Sequence, residues 1–208
     1  LLHSTLPQIN VTDMYKDLAW FYGFFIAEGC ITGGRIRIDN QNERLLDKCE
    51  KIIKKYICRG CYRVRGKGTI RLVIRKSHIL ARQWYPDFYA SDGNKQIPKI
   101  ILNANKKTKL SFLRGYNDGD GLKAGYASSE EFKNFKTKSP VLAMGLCFLI
   151  ENTTKQRYTI NVEKRKKSFY YSINLNSRRN TKGGKHLRKT SNEIIGKTTI
   201  PYSDEVWD

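Results

Sequence analysis

Two acidic residues, Glu28 and Asp120, end two copies of one short pattern that occurs once in each half of the chain. Residues 21–29 read FYGFFIAEG and residues 113–121 read LRGYNDGDG. Both copies have glycine third, a small residue before the acid and glycine after it. Internal repetition of this kind indicates duplicated structural units. Because each unit contributes one carboxylate, the repeat predicts a paired active site.

Small residues four positions apart would let the two motif helices pack closely. Gly23 and Ala27 form this pair in the first copy, and Gly115 and Gly119 form it in the second. Helices packed through these faces would bring the two acids side by side at the C-terminal helix ends. The negative ends of the helix dipoles would increase the repulsion between the carboxylates there, and a divalent cation would relieve it.

Glu28 and Asp120 are therefore the predicted metal ligands, and the expected ion is Mg²⁺ or another divalent cation such as Mn²⁺. Hard, oxygen-rich sites that keep several bound waters suit magnesium. Divalent cations also stabilise the attacking and leaving oxygens in phosphodiester hydrolysis. The alternative is a packing interface whose acids merely end each helix in water. Asp118 is expected to contribute little, because the first copy has Ile26 at the equivalent position.

The charge balance indicates a polyanionic partner. The 208 residues include 39 Lys+Arg and 19 Asp+Glu, a formal net charge of +20, while a hydrophobic fraction of 39% supports a folded core. Nucleic acid is the expected partner, with an anionic membrane surface as the rival. No run of 18 apolar residues and no secretory signal is found, which argues against membrane spanning and secretion. The odd number of cysteines favours reduced thiols in an intracellular compartment, although Cys58 and Cys61 have zinc-ligand spacing.

The hydrophobic pattern predicts an α+β fold in which helices alternate with strands. Helical spacing predicts helices at 15–28, 43–56, 108–120 and 141–151, and one that begins at 78 and ends or kinks at Pro86. Asn42, Ser77 and Ser139 are the expected N-cap residues of the helices at 43–56, 78 and 141–151. Period-two alternation predicts strands at 35–38, 62–65, 69–75, 132–135, 158–163 and 168–176. Gly29 is expected to end the first helix in a left-handed conformation. The second unit repeats the order of the first, which predicts two halves, residues 1–104 and 105–208.

Polar and cationic side chains alternate with apolar ones along these strands, which predicts sheets with one packed face and one DNA-binding face. Arginine suits guanine edges and asparagine suits adenine edges, although most such contacts position the protein rather than specify sequence. The alternative is a solvated sheet face. The candidate DNA-binding residues are Arg35, Arg37, Arg63, Arg65, Arg71 and Arg75 in the first unit, and Asn161, Ser172, Asn174 and Asn176 in the second.

The two motifs, the repeated sheet units and the run KQIP at residues 95–98 resemble a single-chain LAGLIDADG homing endonuclease over nearly the whole chain. The resemblance implies a pseudo-symmetric duplication of αββαββα units, with two motif helices packed at the centre and two antiparallel sheets forming a DNA-binding saddle. The KQIP run and the sequence VWD at residues 206–208 are most similar to the intein-associated branch of this family. Glu28 stands where the name motif has Asp, and both acids occur in the family.

The resemblance also implies catalytic roles. The two motif acids would bind the metal ions and hold the attacking water, and a lysine is expected beside each scissile phosphate. Lys95 matches this role through its place ahead of Ile-Pro, Lys197 is the candidate in the second half, and Lys123 is a third candidate. Asn40 resembles the polar residue that orders active-site water in some relatives; a turn or helix-entry residue is the alternative.

The predicted function is a monomeric, site-specific homing endonuclease that makes a double-strand break in a long, asymmetric DNA target. Duplication within one chain would let the two halves treat the two halves of a target differently, which identical subunits cannot easily do. One alternative is a catalytically inactive DNA- or RNA-binding protein of the same fold, such as a maturase or regulator. Another is a basic RNA-binding structural protein whose helix motifs are unrelated to catalysis.

Overall fold

The computed structural model describes residues 14–121, 132–154, 156–165 and 168–175 of the chain. Two antiparallel sheets and a set of helices build this part, which confirms the α+β class. The helices are α1 (Lys16–Glu28), α2 (Glu43–Ile52), α3 (His78–Phe88), α4 (Lys99–Leu102), α5 (Lys106–Asp120) and α6 (Pro140–Thr153). The strands are β1 (Gly29–Thr32), β2 (Arg35–Asn40), β3 (Cys61–Arg65), β4 (Ile70–Ile74), β5 (Asn134–Thr137), β6 (Tyr158–Arg165) and β7 (Ser168–Leu175).

Helix α1 is buried on nearly every side, as its apolar composition predicts. Phe21 and Phe25 pack against Trp84 and Phe88 of α3, with ring centroids 5.0 to 6.1 Å apart. Trp20 stacks on Phe24 along an adjacent face of the helix, at a centroid distance of 5.1 Å. This aromatic packing covers α1 and fixes it between the first sheet, α3 and α5.

The first sheet has the strand order β1-β2-β4-β3 and the second has the order β5-β7-β6. All pairs within both sheets are antiparallel. In each sheet the strand that leads into the capped helix, β2 or β5, pairs with the strand of the following hairpin that is later in sequence, β4 or β7. The two sheets therefore share the same local connectivity.

Helices α2 and α6 begin at equivalent points after these strands. The Asn42 side chain accepts hydrogen bonds from the backbone N–H groups of Arg44 and Leu45 at 3.1 and 3.4 Å, which caps α2. Ser139 Oγ accepts from Leu142 N at 3.0 Å, with proline at the next position. Both caps were predicted from sequence and are confirmed.

The local predictions for Gly29 and Ser77 were wrong, and two helix ends differ from the expected ones. Gly29 has φ −89° and ψ 161°, because the chain passes directly from α1 into β1, a strand that the sequence pattern missed. Helix α3 runs through Pro86 to Phe88, and α2 continues as a π-helical segment over 53–57. Ser77 does not cap α3 with its side chain; its hydroxyl accepts from Ile36 N at 3.1 Å instead.

The prediction that six arginines share one sheet face was also wrong. Arg63 pairs across the strands with Leu72, and Arg65 with Ile70, so these two arginines lie on the side of the sheet that faces α2. Arg63 Nη2 donates to Asp47 Oδ1 at 2.6 Å and to Glu50 Oε2 at 3.0 Å. The acids of α2 supply the partners that make a charged residue acceptable on this face. Arg65 makes a similar ion pair with Glu43, at 3.1 Å.

Candidate active site

The C-terminal ends of α1 and α5 meet because glycine allows their backbones to touch. A Cβ atom added at Gly23 would clash with the backbone carbonyl of Phe112, and one added at Gly115 would clash with the carbonyl of Trp20. One added at Gly119 would lie 3.0 Å from Cγ and 3.6 Å from Oε1 of Glu28. Glu28 therefore lies against the last turn of α5, next to the residue that precedes Asp120. This is the helix packing that the small residues predict.

Glu28 is held by an amide from the neighbouring strand. Asn40 Nδ2 donates to Glu28 Oε1 at 2.9 Å, and Asn40 Oδ1 accepts from Asn42 N at 2.8 Å. Asn40 is only 6% exposed, so both ends of its amide are fixed. The hydrogen bond from Asn40 limits the rotation of the carboxylate.

Lys95 lies at the same helix end. Its Nζ donates to Ile26 O at 2.6 Å and lies 3.5 Å from Ala27 O, two carbonyls in the last turn of α1. Burial lowers the pKa of Lys95, while the negative charges of Asp120 and Glu28 act in the opposite direction. The amine therefore senses both motif carboxylates, and it releases its proton more readily than an exposed lysine does.

Asp120 faces an open cleft with a volume of about 480 Å³. Tyr116, one turn earlier on α5, is buried, and its Oη donates to Lys136 O at 3.1 Å. Burial raises the pKa of Tyr116, and the charge of Asp120 raises it further, so the phenol stays protonated. The charged or hydroxyl-bearing residues that line the cleft include Lys95, Asp120, Lys136, Lys138, Arg165 and Tyr170.

Three of the basic residues of the cleft surround the ring of Tyr170. Lys138 Nζ and the Arg165 guanidinium carbon lie 5.1 and 5.0 Å from the centroid of Tyr170, and Lys136 Nζ lies 5.7 Å from it. Glu163 accepts from Lys136 at 2.9 Å and from Arg165 at 2.7 Å. These contacts hold three cations in the cleft that Asp120 also lines.

Thr137 is a residue that sequence reasoning missed. It stands two positions before the Ser139 cap, as Asn40 stands two before the Asn42 cap, and Thr137 Oγ1 accepts from Ser139 N at 3.1 Å. It lines the cleft with Asp120. The sequence signal was its spacing from the cap, which places Thr137 as the counterpart of Asn40 in the second sheet.

Asp118 makes a contact between helices that the repeat alone did not indicate. Trp20 Nε1 donates to Asp118 Oδ2 at 2.7 Å, and Lys48 Nζ lies 3.5 Å from the Trp20 ring centroid. Burial lowers the pKa of Lys48, and the charge of Asp118 opposes that shift. Asp118 therefore links α5 to α1 and α2.

The other predicted DNA-binding residues lie on the outer faces of the two sheets or outside the described part of the chain. Arg37 and Arg71 lie on the face of the first sheet opposite α2, since they pair with Val73 and Val64, while the residues that alternate with them along β2 and β4 belong to the core. By strand alternation Arg35 and Arg75 lie on that face too, and the Arg75 guanidinium carbon lies 5.4 Å from the Tyr62 ring.

In the second sheet, three of the predicted DNA-binding residues share one face: Asn161, Ser172 and Asn174. The predicted residues Asn176, Lys123 and Lys197 lie outside the described residues.

The donor set at the two helix ends fits a divalent cation. Two carboxylates provide hard oxygen ligands and leave several coordination positions to water and phosphate oxygens, as magnesium requires. Within residues 14–121, 132–154, 156–165 and 168–175, no group of three or more His, Cys, Asp or Glu side chains could enclose a metal ion. The same part of the chain contains no helix long and apolar enough to cross a membrane.

Comparison with known proteins agrees with the fold described above. Residues 16–82 match the model of the LAGLIDADG-like domain. A solved structure of a mesophilic variant of the homing endonuclease I-DmoI has a TM-score of 0.54 and 15% identity, and the match covers 77% of this chain and 88% of that one. The structure of I-DmoI in complex with DNA and Mn gives the same TM-score and identity, with 89% of that chain covered.

Relatives by sequence include much longer proteins. A DNA polymerase of Acanthamoeba polyphaga mimivirus is 25% identical over 228 aligned residues, which cover 100% of this chain and 12% of the polymerase. The Replication factor C small subunit of Methanocaldococcus jannaschii is 30% identical over 134 residues, which cover 56% of this chain and 7% of the subunit. The chain thus spans about an eighth or less of the length of these relatives.

Proposed function

Since this chain contains a LAGLIDADG-like domain and has the LAGLIDADG homing-endonuclease fold, we propose that it is a site-specific DNA endonuclease that makes a double-strand break. The observation that carries the proposal is the meeting of the α1 and α5 C-terminal ends, which brings Glu28 against α5 and both motif acids near Lys95. Lys95 contacts the last turn of α1 and feels the charges of both acids, which suits a lysine that acts beside them.

Glu28 and Asp120 are the residues that would hold the divalent cation, Mg²⁺ or Mn²⁺. When bound, the cation supplies charge stabilisation for the attacking and leaving oxygens of the phosphodiester. The carboxylates themselves hold the attacking water by accepting its hydrogen bonds. Asn40 is a positioning residue, because it acts through Glu28 and does not itself need to touch the DNA.

Hydrolysis forms a bond between phosphorus and the oxygen of water and breaks a bond between phosphorus and a bridging oxygen of the strand. The water must lose a proton and the departing oxygen must gain one. Lys95 is the proposed catalytic lysine, because the lowered pKa of its amine makes proton transfer near neutral pH easier than for an exposed lysine. Lys197 and Lys123 remain the candidates for the second strand.

Double-stranded DNA is the proposed substrate, long and asymmetric, and the chain is proposed to act as a monomer. Residues 1–104 and 105–208 would each cover one half of the target. The three cations around Tyr170 and the polar sheet faces suit phosphates and base edges. The short matches inside much longer relatives support an element inserted in a host gene, as an intein-associated enzyme would be.

Incubation of the full chain with randomised duplex DNA and Mg²⁺, followed by sequencing of the cut ends, tests the proposal. We expect a discrete cleavage site for the parent protein and loss of cutting for Glu28→Gln and for Asp120→Asn. Asp17→Asn, a charge removal in the exposed first turn of α1, is the matched control and should cut normally. Binding of duplex DNA without nicking in Mg²⁺ or Mn²⁺ would favour an inactive binding protein, and equal binding of RNA would favour the RNA-binding alternative.

A further inference from the structure

We propose that the two sheets read chemically different half-sites: the Arg37–Asp39–Arg71 cluster a guanine-containing one, and the Asn134–Ser172–Asn174 cluster an adenine-containing one. This inference rests on the proposed function and adds the base chemistry of its substrate. Its basis is a position-by-position comparison of the two sheets, which keep one geometry and present different functional groups.

The two caps set the alignment of the sheets. Because Asn40 and Thr137 each stand two residues before a cap and accept the same backbone hydrogen bond, they mark one position in β2 and β5. Asn40 pairs with Ile70 across the first sheet, and Thr137 pairs with Tyr171 across the second, which extends the alignment to β4 and β7. On the outer face, the equivalent pairs are Arg37 with Asn134, Asp39 with Lys136, Arg71 with Ser172 and Val73 with Asn174.

In the first sheet an acid fixes the arginines in place. Arg71 Nε donates to Asp39 Oδ1 at 2.7 Å, and Arg37 Nε lies 3.9 Å from Asp39 Oδ2. Arg37 Nε also donates to Cys30 Sγ at 2.8 Å. The side chain of Arg71 remains 44% exposed and that of Arg37 remains 35% exposed. Because these contacts use Nε, the terminal nitrogens are left to donate as a fork to the O6 and N7 acceptors of guanine.

An acid on this face also argues against a purely phosphate-binding role. The Asp39 carboxylate is 31% exposed and would repel a nearby phosphate. The same carboxylate reduces the rotational freedom of Arg71, which a planar, bidentate contact to a base edge requires and a point contact to phosphate does not. The cluster therefore suits base reading better than backbone binding.

In the second sheet amides and a hydroxyl form the equivalent cluster. Asn134 Nδ2 donates to Ser172 Oγ at 2.8 Å and to Asn174 Oδ1 at 2.6 Å. Since both donations use the Asn134 amide nitrogen, the outer face keeps an acceptor at Asn134 Oδ1 and a donor at Asn174 Nδ2. An acceptor beside a donor complements the N6 donor and N7 acceptor of adenine.

Selection of bound sequences from randomised duplex DNA, in metal-free buffer so that nothing is cut, tests the inference with the full chain. We expect an asymmetric consensus with guanine in one half and adenine in the other. Arg71→Gln should lower the guanine preference at one position by about 10-fold or more and leave the other half unchanged. Asn174→Leu should lower the adenine preference in the other half only.

Arg63→Gln and Lys164→Gln are the matched controls, because they remove cations from the α2-facing side of the first sheet and from the corresponding side of the second. Neither should change a base preference. Uniform weakening by Arg71→Gln and Asn174→Leu, with the consensus unchanged, would show phosphate contacts and overturn the inference, while cleavage in Mg²⁺ would leave the proposed endonuclease intact. An asymmetric consensus that changes with these variants, without cleavage in Mg²⁺, would support the inference and contradict the proposed endonuclease activity.

Discussion

The two motif acids lie in different surroundings, although the helices that carry them are copies of one pattern. Glu28 accepts a hydrogen bond from Asn40, an amide fixed at both ends. On the side of Asp120, the position of Asn40 is taken by Thr137, a hydroxyl, and the cleft contains the buried phenol of Tyr116. The backbone contacts that bring the acids together are thus the same in both copies, while the groups that tune each acid differ. If the proposed endonuclease acts on both DNA strands, this difference predicts unequal sites for the two strands.

The helix-facing sides of the two sheets also differ. Arg63 and Arg65 of β3 make ion pairs with the acids of α2. The corresponding side of β6 carries Ile160 and Val162, which are 48% and 57% exposed. Surface ion pairs of the first kind contribute at most about 1 kcal/mol each. The centre of the molecule is thus alike in the two halves, whereas the outer strands differ.

Removal of Lys95 should have the largest effect on the difference between the two sites. We expect Lys95→Met to slow the nicking of one strand by about 10²- to 10⁴-fold, because a positioned proton-transfer group is lost. The other strand should be affected less, since its lysine comes from elsewhere in the chain. End-labelled duplexes, with a different label on each strand, measure the two rates. Lys107→Met, at the exposed start of α5, is the control, and equal slowing of both strands would contradict unequal sites.

Filling the helix interface should destabilise both copies alike. Gly23→Ala and Gly115→Ala each place a methyl group against a backbone carbonyl of the facing helix, and each should cost about 1–3 kcal/mol of unfolding free energy or more. Urea denaturation followed by circular dichroism measures the loss. Gly66→Ala is the matched control, because its methyl group would have its nearest neighbours at 3.7 Å. A large loss for one glycine only would show that the interface is not symmetric.

A substitution at Asn40 can make the first site more like the second. Asn40→Thr keeps an oxygen that can accept from Asn42 N but removes the amide donation to Glu28. We expect stability to change by no more than about 1.5 kcal/mol, the usual value of one hydrogen bond. The nicking rate of one strand should fall by about 10-fold, because a hydrogen bond of about that energy no longer orients the carboxylate. Unchanged rates on both strands would remove Asn40 from the positioning role.

Loss of the β3 ion pairs should have the smallest effect. Arg63→Ala removes contacts to Asp47 and Glu50 at a partly exposed site, and we expect a loss of about 1 kcal/mol or less. Thermal denaturation at low and high salt measures it, and the difference from the parent protein should shrink as salt screens the pairs. A loss of stability that does not depend on salt would show that α2 is stabilised by packing of the aliphatic part of Arg63 and not by its charge.

The centre of the fold could be predicted from the sequence because its signals are local. The glycine spacing of the motifs gave the helix interface, and the caps at Asn42 and Ser139 marked the starts of α2 and α6. Those features depend on a few neighbouring residues, so the pattern and the structure agree. The contact of Asp118 with Trp20, by contrast, joins residues far apart in sequence and could not be read from either motif alone.

The outer strands could not be predicted as well because their orientation depends on partners. In β3 the apolar residues Tyr62 and Val64 suggested the inward face, but pairing with β4 places them outward and turns Arg63 towards α2. The acidic residues of α2 recur on one side of that helix, and this stripe was the signal that could have revealed the orientation. Strand β1 has four residues and no alternation, so its pairing with β2 is the only feature that defines it.

In the proposed endonuclease, one acid from each motif helix binds the same catalytic metal centre. The most direct measurement is the anomalous scattering of Mn²⁺ in crystals of the full chain bound to its selected duplex. We expect manganese density within coordination distance of carboxylate oxygens of both Glu28 and Asp120, beside a phosphate of the DNA. Manganese bound elsewhere, with Glu28 and Asp120 both free of metal, would contradict the account.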